Sequence, residues 1–273
     1  MSFAPRLAPV LALAVLCGTA HGRGDPRIEF ELAAGVSGST ELRTVALMSP
    51  LVTISAPISE KTAFLAQWGF SVATGEPRGA FDATWFAVGN PLIGASLVLL
   101  EGLVFSPSLT FPVAKRPDGE ARRPASSFAF DGAIGMRGAT DLWLWAPDEL
   151  AVVLPLAWVK WLDPLLLEAH VKLAFLAPTT SDDNDSDFIL QMKARLALHI
   201  ADGVWIGAGL SGVYTPTDTV DNFQSALTPE LRYVLGPGSH VGLTLNMNLD
   251  TPYGPFSTPG RFWAVVIGGS ARL

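Results

Sequence analysis

Polar and apolar residues alternate along much of the chain with a period of two. In "LLLEAHVKLAFLAP" (165–178), Glu168, His170 and Lys172 fall on one phase, and Leu167, Ala169, Val171, Leu173 and Phe175 on the other. Successive residues of a helix turn by about 100°, so a helix would set His170 nearly opposite the other two polar groups. A strand points all three the same way. The alternation returns in residues 27–36, 64–72, 103–113, 188–200, 223–235 and 240–249. Its polar phase carries Glu29 and Glu31, Gln67, Ser106, then Lys193, Arg195 and His199, Glu230 and Arg232, and His240. Each stretch is about the length of a transmembrane β-strand, ~9–11 residues.

The connections between these stretches alternate in length. Residues 59–61, 101–102, 162–164, 201–203 and 236–239 are short; residues 75–82, 114–126, 179–187, 215–222 and 250–261 are long. Outer-membrane barrels have tight periplasmic turns and long external loops. The pattern therefore predicts an all-β chain: a closed antiparallel transmembrane β-barrel of about 12 strands, within roughly 10 to 14, and even in number because both ends belong in the periplasm. The uncharged run Ala83 to Leu100 reaches the length of a spanning helix, but Gly89-Asn90-Pro91 breaks it in the middle. Residues 127–163 fit least well. "DLWLWAPDELAVVLPLAWVKWL" (141–162) is apolar on both phases and contains Pro155, which lacks a ladder donor. This region reads as either one hairpin or a helix-containing insertion.

Composition sharpens the assignment. Hydrophobic residues make up 49% of the chain and charged residues only 16%, against roughly 25% charged in ordinary soluble domains. A net charge of -7 excludes a nucleic-acid partner, which needs a positive field. Residues 1–22 have one basic residue, Arg6, an apolar core from Leu7 to Leu16, and small residues at Gly18 and Ala20. This is the layout of a cleaved secretory signal peptide, leaving residues 23–273 as a single barrel domain. The only cysteine, Cys17, lies inside that segment, behind Leu16 where a lipoprotein signal has a small residue. The remainder then has neither a disulfide nor a thiolate metal site. The acidic stretch "DDNDSD" (182–187) offers oxygen ligands for Ca²⁺ but lacks the glycine and distal glutamate of a calcium loop. It reads as a solvated external loop, and neither a metal nor a cofactor is expected. Trp161, Trp205 and Trp263 flank predicted turns or loops, where interfacial aromatics belong.

If the apolar phase meets lipid, the polar phase must face the lumen, where ionisable groups find water or one another. The candidate lumen-lining residues are Glu168, His170, Lys172, Lys193, Arg195, His199, Glu230, Arg232 and His240. Such a set either fills and stiffens the barrel as a network of ion pairs or lines a polar path for a solute. A serine or threonine nucleophile needs a base within hydrogen-bond reach. None of the three histidines has a hydroxyl residue two positions further along its strand: Lys172, Ala201 and Gly242 stand there. No catalytic residue is assigned, and a dyad would have to form across strands.

The segment "FWAVVIGGSARL" (262–273) resembles the C-terminal strand that outer-membrane proteins present to their barrel assembly machinery, with Leu273 where the family usually ends in Phe. The chain from residue 23 onward resembles the outer-membrane β-barrels of Gram-negative bacteria. Within its first half, "LVTISAPISEKTAFLAQWGFSV" (51–72) followed by "FAVGNPLIGASLVL" (86–99) resembles the hairpin and Gly-Asn-Pro segment of barrels related to the phenol-degradation (MetA-pathway) and fatty-acid-transporter-like proteins. That resemblance implies passage of small or hydrophobic molecules across the outer membrane and transfers no catalytic residue. The expected function is an outer-membrane channel or transporter for small solutes, in contact with outer-membrane lipid and, during biogenesis, the assembly machinery. The alternatives are a structural or interaction barrel with a plugged lumen and, more remotely, a lipid-modifying barrel enzyme.

Overall fold

A computed structural model describes residues 25–37, 42–77, 83–115, 123–179, 187–216, 222–236, 238–250 and 262–272. The predicted signal peptide and nearly all of the acidic stretch 182–187 lie outside the described residues. Fourteen strand segments form one sheet: β1 (Arg27–Ser37), β2 (Leu42–Pro57), β3 (Thr62–Pro77), β4 (Ala83–Val88), β5 (Leu92–Leu100), β6 (Leu103–Phe105), β7 (Ser108–Thr110), β8 (Glu149–Leu162), β9 (Leu165–Pro178), β10 (Asp187–Ala201), β11 (Val204–Tyr214), β12 (Phe223–Gly236), β13 (Ser239–Asn248) and β14 (Phe262–Arg272). Both β4 and β5 pair with β3, and both β6 and β7 pair with β8. Each of these couples is thus one barrel strand with an interruption, at Gly89-Asn90-Pro91 and at Ser106-Pro107.

The barrel has twelve antiparallel strands and is closed, with β1 paired to both β2 and β14. Closure satisfies the backbone of every strand within the sheet, which is what a hydrocarbon surrounding demands. No helix among the described residues is long and apolar enough to cross a membrane. The run Ala83 to Leu100 divides into β4 and β5 at the predicted break. Several strands run longer than the hydrocarbon layer requires, β2 and β3 reaching 16 residues each.

Register fixes the faces. Glu168 pairs with Arg195 and Val159, His170 with Lys193 and Ala157, and Lys172 with Gln191 and Pro155, so these residues share the inner face. The outer face is apolar and exposed all round, with Met48, Phe70, Phe175, Leu210, Leu243 and Ile267 among its members. An apolar outside and a polar inside is the inverse of a soluble sandwich and suits a lipid solvent.

The stretch that failed to alternate resolves as a helix-containing insertion followed by a strand. Helix α1 (Arg123–Met136) and a 3₁₀ turn (Leu142–Leu144) lie between β7 and β8. They pack inside the barrel, α1 against β1, β2, β3, β4 and β14. The inner face of β8 meets this packing through Ala151 and Val153, both buried in the same apolar cluster as Trp143 and Trp145. With protein on one side and lipid on the other, β8 has no polar face, and its alternation disappears.

Candidate functional site in the barrel lumen

The insertion plugs the lumen from the end opposite the short turns, and its anchors can be traced residue by residue. Helix α1 stops in a Schellman arrangement: Gly138, at φ 69°, donates its N–H to Gly135 O at 3.2 Å, and Ala139 donates to Ile134 O at 3.0 Å. The last helical carbonyls also accept from the wall, Asn246 Nδ2 reaching Met136 O and Asn248 Nδ2 reaching Gly135 O, each at 2.7 Å. Just beyond, Arg137 pairs with Glu31 at 2.8 Å and donates to Ser49 O at 2.9 Å.

The 3₁₀ turn is held by the Gly-Asn-Pro break. Fully buried Asn90 donates its side-chain amide to Trp143 O (3.2 Å) and Ala146 O (2.6 Å), accepts from Ala114 N–H (2.8 Å), and donates its backbone N–H to Leu144 O (2.7 Å). One side chain thereby ties β4 and β5 to both ends of the turn. The neighbouring glycines admit the plug: a Cβ on Gly89 would stand 2.9 Å from Leu144 O and 3.3 Å from the Trp145 ring, and one on Gly69 would stand 2.8 Å from Pro50 O and 3.4 Å from the same ring.

Below the plug the lumen is charged. Buried Arg195 bridges Glu168 and Glu230, and Arg232 lies 3.4 Å from Glu230. His170 Nε2 is 3.9 Å from Glu168. Lys172 bonds Asp141 of the plug at 2.6 Å and lies 5.5 Å from the centre of the Trp143 ring. Burial alone would raise the Asp141 carboxyl, but the bonded Lys172 ammonium, with Arg137 and Lys193 farther off, holds it below the ordinary aspartate range.

Between plug and network lies a cavity of about 310 Å³. Seven of the nine predicted lumen residues line it: Glu168, His170, Lys172, Lys193, Arg195, Glu230 and Arg232. The other two sit elsewhere on the inner face. His199 stacks on Trp205 with centroids 4.6 Å apart, and Trp161 tilts against the same indole at 4.9 Å. Trp205 is fully buried with Leu166 and Ala197 in a small apolar cluster near the short turns. Trp161 and Trp205 are thus part of the lumen floor, which corrects the expectation that they belong to the interfacial belt. At the sequence level a tryptophan next to a turn reads the same whether it points in or out.

His240 finds its hydroxyl across strands, in Ser270, at 2.6 Å. Ser270 itself donates to Gly238 O at 3.1 Å, so with a single O–H proton it accepts from His240 Nδ1–H. In that arrangement the imidazole does not take the proton from serine, as nucleophile activation would require.

Several residues of the cavity were not among the candidate lumen-lining residues. Glu29 and Glu31, already on the polar phase of their strand, also line it. Asp141 and Trp143 arrive through the insertion, whose path across the lumen no periodicity encodes.

No family model matches the chain, and no curated protein matches it. Solved structures do. An outer membrane channel from Pseudomonas putida F1 superposes with a TM-score of 0.59 at 12% identity, covering 92% of this chain and 96% of that one. The translocator domain of the autotransporter NalP from Neisseria meningitidis matches with a TM-score of 0.50 at 14% identity, covering 98% and 96%. The β domain of the Bordetella autotransporter BrkA matches with a TM-score of 0.50 at 11% identity, covering 92% and 100%. Identities this low speak for the fold alone. The chain has the fold of the Gram-negative outer-membrane β-barrels.

Proposed function

We propose that this protein is an outer-membrane channel for small solutes, closed at rest by its own inward-folded segment. The observation that carries this reading is the cavity itself. About 310 Å³ of space bounded by charged and polar side chains lies under a plug that meets the wall partly through hydrogen bonds and ion pairs. Polar contacts of this kind exchange readily for water when a segment moves, since each contributes only about 0.5–1.5 kcal/mol net. One protein of the same fold, the Pseudomonas putida barrel, is an outer membrane channel.

A second reading has its own support. The Glu168–Arg195–Glu230 ion pairs and the Trp161–Trp205 floor fill much of the lumen and would stiffen a barrel that transports nothing.

Planar-bilayer conductance separates the two. The unaltered protein should show low or intermittent conductance. Asn90→Ala, which removes three side-chain hydrogen bonds to the plug and its anchor, should show frequent openings. A variant that still migrates as a heat-modifiable barrel yet stays electrically silent in both forms supports the filled, structural barrel.

A further inference from the structure

Most cations around the cavity are matched within the protein: Lys172 with Asp141, Arg137 with Glu31, Arg195 with Glu168 and Glu230. Lys193 is the exception. Among the described residues its ammonium makes no hydrogen bond or ion pair, though it lines the cavity. Glu29, a lining carboxyl outside these pairs, belongs to the far wall, since β1 lies five strands from β10 by way of β14, β13, β12 and β11.

The nearer neighbour of Lys193 is another lysine. Across β9 and β10, Lys172 pairs with Gln191 and His170 with Lys193, so the two lysines are diagonal neighbours on the inner face, within reach of long side chains. Both depend on one carboxylate. Asp141 of the plug bonds Lys172 at 2.6 Å and acts on Lys193 only at longer range. The stem of Lys193 leans the other way, over Gly209 of β11, where a Cβ would stand 3.5 Å from its Cε. Asp141 is moreover delivered by a strained turn. Gly138, Ala139 and Asp141 have φ of 69°, 57° and 57°, in the left-handed region that favours glycine, and release of the turn would relieve the two residues that carry side chains.

Resting on the channel reading above, we infer that the cavity binds small organic carboxylates on Lys193 and Lys172, with Asp141 of the plug as the built-in competitor that the solute displaces. An incoming carboxylate brings the count to two carboxylates for two ammoniums. It meets Lys193 first, because Asp141 already holds Lys172. At Lys172 it replaces Asp141 like for like, so the wall keeps a charge-assisted bond while the plug loses its polar link to β9. Cations and neutral molecules have no such exchange to make, and a space of about 310 Å³ suits a small organic acid.

Acetate, butyrate and succinate serve as probes, with the corresponding amides, ethylammonium and chloride as controls. Binding to the full barrel in nonionic detergent is followed by tryptophan fluorescence, because the Trp143 ring centre lies 5.5 Å from the Lys172 ammonium and senses what that ammonium holds. Permeation is followed by the swelling of liposomes in succinate or succinamide. At least one carboxylate should bind about tenfold more tightly than its amide and than chloride, the scale of one charge-assisted contact. Lys193→Gln should lose about tenfold for that carboxylate and nothing for the amide. Asp141→Asn should instead bind the carboxylate more tightly, because the competitor is gone, and leave the amide unchanged. A plug that is merely loosened would admit acid and amide alike.

Heat-shifted migration on gels establishes that each variant is folded. If Asp141→Asn does not fold, Lys193→Gln alone still moves the preference or fails to. Equal affinities for acid, amide and chloride, or a folded Asp141→Asn barrel that binds the acid no better, overturn the inference and leave the channel standing. Carboxylate binding governed by both residues, without any swelling, upholds the site and removes the channel.

Discussion

Two cationic positions on β10, Lys193 and Arg195, make opposite predictions although they lie two residues apart on one face. Arg195 neutralises Glu168 and Glu230 together, and all three side chains are largely withdrawn from solvent. Among the described residues, Arg195→Met would leave Glu168 with His170, 3.9 Å away, as its nearest paired group, and Glu230 with Arg232 at 3.4 Å. Removing one member of a buried ion pair costs about 3–5 kcal/mol, so the midpoint of urea unfolding in detergent should fall markedly. Arg195→Lys should recover only part of it, because an ammonium lacks the planar fork that addresses two carboxylates. Lys193→Met, by contrast, breaks no bond among the described residues and should leave the midpoint nearly unchanged. Equal losses at 193 and 195 would contradict this division of labour. The sequence showed that both residues face the lumen, since a period of two requires it. It carried no sign of which one is matched, because matching depends on strands 27 and 35 residues away.

At the scale of elements, the plug is where legibility ended and where pH should act. The alternating strands could be read because each has water or polar partners on one side and lipid on the other. The segment 141–162 could not, because its apolar residues face protein as well as lipid. What remained readable there was punctuation: Gly-Asn-Pro marked a break between β4 and β5. That Asn90 uses the break to hold the plug depends on a contact with residues 53 and 56 positions along the chain. The polar link from plug to β9 is the Asp141–Lys172 bond. The Asp141 carboxyl is held below its ordinary value, so the folded state favours the ionised form. Its contribution to docking is therefore complete above the unfolded aspartate value of about 3.9 and declines as pH falls below it toward the folded value. Tryptophan fluorescence of the folded barrel should stay constant from neutral pH down to about 4.5, and a plug-release transition should begin only below that. In Asp141→Asn the plug should already be looser at neutral pH, and the acid transition should lose that component. A transition already complete above about pH 4.5 would instead rule out the Asp141–Lys172 bond as the trigger.

For the whole molecule, closure and the inversion of polarity are one fact seen twice: the chain can present apolar side chains in every outward direction only because no strand edge remains unpaired. The outward and inward faces should accordingly respond in opposite senses to the same substitution. Leu243 is 46% exposed on the outside of β13, and Thr244 follows it on the inside beside Glu230 and the cavity. An arginine at 243 must place its guanidinium among lipid tails or reach for an interface, at a cost of about 2–4 kcal/mol near the midplane. An arginine at 244 enters a space that already holds Glu29, Glu31 and Glu230 and meets carboxylates instead of hydrocarbon. Reversible unfolding in lipid vesicles should therefore show Leu243→Arg strongly destabilised and Thr244→Arg little changed, with the second altering ion selectivity instead. In a lipid-free soluble protein the exposed position would tolerate arginine better than the enclosed one, so the order of the two variants reports directly which solvent surrounds the barrel.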